Sequence, residues 1–123
     1  EMKAIIGITN WVDNKDGLRE LARHLDAGER LPDADYHLNF ATPVELMAEL
    51  PPKRLATLRA IKSIGSVSIY ALAKHLGRNY SNVHADVQRL LEHGLVAKDA
   101  AGLVFMPFDD VIVQVDASLL EAA

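Results

Sequence analysis

Residues 72–96 read LAKHLGRNYSNVHADVQRLLEHGLV, and the apolar spacing in this stretch changes at Gly77. Leu72, Ala73 and Leu76 lie on one helical stripe, and Val83, Val87 and Leu90 form a second at i, i+4 and i+7. Two short helices joined by a tight turn fit this spacing. Ala73 stands where two crossing helices would approach closely. Gly77 stands where the chain must turn sharply, a position at which a left-handed backbone costs glycine little. This is the helix-turn-helix pattern, whose second helix enters the major groove of DNA.

Beyond Gly94 the period changes to two. LVAK at 95–98 and LVFMP at 103–107 flank Asp99-Ala100-Ala101-Gly102, a polar turn suited to a hairpin. Upstream, a helix is expected from Pro52 to about Ile64, burying Leu55, Leu58 and Ile61 and closed by Gly65. Ser68 can cap the next helix and Asn79 the one after it. Three helices followed by a small hairpin make a winged helix.

Thr42-Pro43-Val44-Glu45 is a capping box with proline in the first helical position, so a further helix should start there and run to about Leu50, where Pro51-Pro52 ends it. KAIIGIT at 3–9 reads as a strand with Trp11 near its end. Leu18, Leu21, Ala22 and Leu25 predict a helix from Lys15 to about Ala27, stopped by Gly28. Residues 29–35 read as a loop and YHLNF at 36–40 as a short strand. VIVQV at 111–115 is too apolar to be left exposed and needs an edge to pair with. The expected architecture is α+β: a winged helix-turn-helix (three-helix core with a β-hairpin wing) over 51–107, preceded by a strand-helix extension over 1–50 and followed by a C-terminal strand and tail over 108–123.

A chain of 123 residues is about one domain in size and can bury roughly two-thirds of its unfolded surface. With 50% hydrophobic and 24% charged residues it has the composition of a globular protein. No apolar run approaches the roughly 20 residues needed to span a bilayer, and no basic segment leads into an apolar one at the start, so no membrane partner is expected and the cytoplasm is the expected compartment. The absence of cysteine removes disulfides, thiolate catalysis and cysteine-ligated zinc.

The formal net charge of −4 is unevenly divided. Residues 1–50 carry ten acidic and five basic side chains. Residues 51–98 carry eight basic side chains against only Asp86 and Glu92, and the last 25 residues carry five acidic ones and none that are basic. Positive charge is thus confined to the segment with the helix-turn-helix pattern, as attraction to phosphate requires. Basic faces are also common on solvated helices, so charge by itself leaves both readings open.

With Val83 at the centre of the buried side of the second helix and about 100° between residues, Val87, Leu90 and Tyr80 fall near the core. Ser81, Ala85 and Gln88 fall on the far side, flanked by Asn82, His84 and Arg89. This outward face presents groups that can meet base edges and phosphates, with Ala85 small enough for close approach. Gln88 and Arg89 are the leading candidates for bases or nearby phosphates. Asn79 reads first as a cap, Tyr80 as either a partly buried ring or a phosphate contact, and Arg78 lies in the turn where a backbone phosphate would run. Lys53 and Arg54, at the start of the long helix, and Lys98, in the wing, complete the candidate DNA-binding set. The wing carries no arginine at its tip, which argues against deep minor-groove insertion.

Residues 55–106 resemble the winged-helix domain of MarR-like and ArsR-like bacterial transcriptional regulators. The resemblance is carried by Leu72-Ala73, Leu76-Gly77, Val83, Val87, Arg89-Leu90 and Gly94-Leu95-Val96. Phe40, Pro52-Lys53-Arg54-Leu55, Gly77-Arg78-Asn79-Tyr80 and the run from Asn82 to Val87 are similar, more narrowly, to a small prokaryotic family of DNA-binding regulators. The resemblance implies sequence-specific binding to double-stranded DNA, usually as a homodimer that represses nearby genes. Long terminal dimerisation helices of the MarR kind and the cysteines of metal-sensing ArsR proteins are missing. Dimerisation would need another device, for which the apolar strands at 4–9 and 111–115 are available. Pairing of these strands within one subunit is favoured, with the N-terminal segment contributing to a dimer surface.

The five histidines form no i, i+4 pair and no H-E-x-x-H arrangement, so no metal or other cofactor is expected. Asp109-Asp110 reads as a turn rather than an acidic dyad, and no phosphate-cradling loop or nucleophile elbow is present, so the chain does not read as an enzyme. Two further functions compete with a DNA-binding regulator. One is an antitoxin-like autoregulator whose acidic N-terminal part also binds a basic partner protein. The other is a winged-helix interaction module without nucleic acid.

Overall fold

A computed structural model describes residues 2–8 and 35–115 of the chain. The protein is α+β: the described residues form four helices and two small sheets. The helix expected over 15–27, Trp11 and most of the loop before Asp35 lie outside the described residues. The elements divide into two compact units, one of residues 48–109 and one that joins the residues up to Met47 with those from Asp110 onward. This differs from the three consecutive segments expected. The reason is the apolar strand after Asp109, which finds its edge on the N-terminal strand.

In the first unit, strands β1 (Lys3–Ile8), β2 (Tyr36–Phe40) and β5 (Asp110–Gln114) form a sheet in the order β2-β1-β5. Both pairings are parallel, with Ala4 opposite Tyr36 and Val111, and Ile6 opposite Leu38 and Val113. The apolar strands therefore pair within one chain. Ala4 and Ile6 are fully buried. Gly7 is required by close approach, since a Cβ there would lie 3.0 Å from the Gln114 carbonyl oxygen. Helix α1 (Pro43–Glu49) opens with the expected cap, the Glu45 amide donating to Thr42 Oγ1 at 3.1 Å.

The second unit contains α2 (Pro52–Ile64), α3 (Ile69–Leu76), α4 (Tyr80–Glu92) and the hairpin of β3 (Ala97–Lys98) and β4 (Val104–Phe105). Its core is Leu58, Ile61, Leu72, Ala73, Val83, Val87, Leu90, Leu95 and Val104. In α2 the buried positions are Thr57, Leu58 and Ile61, whereas Leu55, expected in the core, is half-buried. Ser68 caps α3 by accepting from the Ala71 amide. At its other end Gly77 is left-handed (φ 64°, ψ 33°), its amide donates to the Lys74 carbonyl, and the Arg78 amide donates to that of Ala73. Those two bonds satisfy the helix's last carbonyls and turn the chain sharply into α4. The hairpin ladder is shorter than expected. Leu95 and Val96 are buried in the core instead of joining the ladder. Val67 pairs with Val104 across two backbone hydrogen bonds and so adds a third segment to the hairpin. Among the described residues no helix is long and apolar enough to cross a membrane.

Candidate nucleic-acid interface

Helix α4 has two distinct sides. Val83, Asp86, Val87 and Leu90 are buried, while Ser81, Asn82 and Ala85 are exposed. The Asn79 side chain is committed to capping, accepting from the Ser81 amide at 2.8 Å. Tyr80, placed near the core by the helical wheel, is instead 49% exposed, with its ring 5.9 Å from that of His84. At the first turn of a helix there is no preceding turn for a ring to pack under, so it lies along the surface one turn on.

Sequence reasoning missed the role of Asp86. Its position, three residues after Val83 and one before Val87, completes an i, i+3, i+4, i+7 stripe, and a carboxylate there demands a partner. Two arginines supply it. Arg54 Nε donates to Asp86 Oδ1 at 3.1 Å, and Arg78 Nη1 lies 2.9 Å from Oδ2 without hydrogen-bond alignment. Arg54 also donates to the Glu49 carbonyl at 2.6 Å, and Arg78 to the buried Thr57 hydroxyl at 2.9 Å. Arg54 and Arg78, which the sequence reading offered as candidate DNA contacts, are therefore also part of the scaffold of this unit.

Arg89 is likewise engaged. Its guanidinium meets Glu92 Oε2 at 2.6 Å, one turn away, and pairs with the Glu49 carboxylate. The second half of the outward face is thus bordered by carboxylates, and Arg89 is not an open cation. Gln88 beside it is half-exposed. Glu49 had no signal in the sequence beyond its charge, because the contact spans 40 residues.

The first half of α4 is different. Lys53, Arg78, Asn82 and Ala85 come together around an open cleft of about 630 Å³, with Pro51 and Asp86 also on its walls. Lys53 is exposed and, among the described residues, its ammonium has no ion partner. Lys98 is exposed on β3 and does not line this cleft.

His93, at the end of α4, is 2.9 Å from Glu49 Oε1. Its pKa is lowered from 6.5 by burial first, then by the Arg89 and Arg54 charges, against a smaller opposing effect of Glu92. The ring is neutral at neutral pH and donates Nε2–H to the carboxylate, so the contact is a hydrogen bond and not an ion pair. Because the folded chain binds this proton less readily than the unfolded one, the His93 contribution to stability is complete above 6.5 and is lost as pH falls through the lowered folded value. Urea midpoints measured above and below pH 6.5 should fall further for the native protein than for His93→Gln; equal losses would contradict this.

A protein-family model, HVO_A0114, matches residues 49–113. That is more than half of the chain. The chain belongs to the HVO_A0114 family. The matched span opens at Glu49, takes in α2, α3, α4 and the hairpin, and ends within β5, so the HVO_A0114 region contains the whole cleft and every partner of Asp86. Among curated proteins and solved structures, none matches this HVO_A0114 chain.

Proposed function

We propose that residues 51–107 form a winged helix-turn-helix that binds duplex DNA in a sequence-dependent way, with α4 as its reading helix and the first half of that helix as the reading surface. The observation that carries this is the exposed trio Ser81, Asn82 and Ala85, set opposite the buried seam and beside the cations Lys53 and Arg78. An asparagine amide can bond two edge atoms of adenine at once, and alanine and serine let the helix backbone come close to the bases. Base contacts shift toward Asn82 and away from Arg89, whose charge is already met by Glu49 and Glu92.

The proposal includes a repressor acting as a homodimer. Within the described residues β5 is an edge strand with Ile112 and Val113 exposed, the kind of edge that can pair with another chain. Two copies of α4 would then meet half-sites about one helical turn apart.

The test is binding to DNA from upstream of the protein's own gene at two salt concentrations. Affinity should fall steeply with salt, and Asn82→Ala should reduce discrimination between sites by about 1–3 kcal/mol. A protein that fails to retard any such fragment at low salt is not a DNA binder, and the interaction-module reading then takes its place.

A further inference from the structure

The cleft beside α4 is built around a guanidinium gripped on one edge. Arg78 Nη1 donates to Thr57 Oγ1, faces Asp86 Oδ2 and reaches the Lys53 carbonyl at 3.5 Å. Thr57 is fully buried and Asp86 is 7% exposed, so this edge is anchored in the protein interior. Among the described residues every Arg78 side-chain contact runs through Nη1, which leaves the donors on Nε and Nη2 for the cleft that Arg78 lines. Lys53 stands on the same cleft.

The charge balance favours an anion. Lys53 and Arg78 line the cleft together with the carboxylate of Asp86, whose two oxygens are already met by Arg54 and Arg78. The planar outer edge of a guanidinium matches two oxygens of a phosphate, and an ammonium beside it adds a point charge. Because Thr57 and Asp86 hold Arg78 before any ligand arrives, little side-chain freedom is lost on binding.

We propose that this cleft seats one backbone phosphodiester, between the Lys53 ammonium and the outer edge of Arg78, with Thr57 and Asp86 as positioning residues. The inference rests on the DNA-binding reading above and adds to it a fixed register. A phosphate held beside Asn82 sets how far along the groove α4 sits.

The experiment uses the full chain and duplexes in which single phosphates are replaced, one at a time, by neutral methylphosphonates. The native protein should lose about tenfold in affinity at one position per bound copy, the scale of one charge-assisted contact. Lys53→Gln, an exposed substitution, should bind unmodified DNA about tenfold more weakly and show no further loss at that position. Thr57→Val should shrink the penalty there and Thr57→Ser restore it. If Lys53→Gln binds like the native protein, or carries the same penalty at every position, the cleft is not a phosphate seat although the protein binds DNA. A penalty unchanged in Thr57→Val overturns the positioning role. Absence of any binding by the native protein at low salt overturns the phosphate seat together with the DNA-binding reading.

Discussion

Asp86→Ala should lower the unfolding free energy by about 3 kcal/mol, because it removes the one carboxylate that two arginines share. The side chain is 10% exposed and those of Arg54 and Arg78 are 16% and 22% exposed. The guanidiniums keep some access to water, which places the effect at the lower end of what breaking a buried pair costs. Arg54 would retain the Glu49 carbonyl and Arg78 the Thr57 hydroxyl, so the cost is charge left uncompensated more than hydrogen bonds lost. Asp86→Asn keeps the shape and one acceptor and should recover part of the loss. Urea unfolding of the two variants measures this directly. A loss under about 1 kcal/mol for the alanine variant would put the contact among surface ion pairs and remove Asp86 from the scaffold.

Leu90→Ala is the second large effect, again about 3 kcal/mol, within the range for deleting a fully buried leucine. Leu90 has no exposed surface and shares the inward side of α4 with Val83 and Val87, both also fully buried. The cavity left behind adds to the lost transfer free energy because α2 and α3, which pack against α4, hold its walls. Leu91, one residue on, is only half-buried, and Leu91→Ala should cost clearly less. Equal losses for the two variants would mean that the inward side of α4 is misassigned. Neither substitution touches Ser81, Asn82 or Ala85, so on the proposed DNA-binding reading a folded Leu90→Ala protein at low temperature should bind DNA as the native protein does.

The second unit was readable to a close degree because its signals are local. Ser68 and Asn79 cap the helices they were expected to cap, Gly77 takes the left-handed turn between α3 and α4, and α2 runs over Pro52–Ile64 as its spacing requires. Each of these depends on residues within a turn or two of one another. The apolar strands at the two ends were also legible as strands, since alternation and β-branching are local properties. Their parallel order around β1 was not, because partner and direction are settled by contacts across more than a hundred residues.

Side-chain partnerships in the candidate site were the least legible. Lys53, Arg54, Arg78 and Arg89 look alike in a sequence, as four cations near the expected helix-turn-helix. Folding separates them: Arg54 and Arg78 converge on Asp86, Arg89 goes to Glu49 and Glu92, and Lys53 stays exposed. The amino-acid order alone determined where helices start and stop, which residues form the seam of α4 and where positive charge gathers, because backbone preference and periodicity act over a few residues. Only the tertiary structure decided which of those charges are paired inside the protein and which stay exposed, because an ion pair depends on distance in space, and residues 32 or 40 apart meet only once the chain has folded.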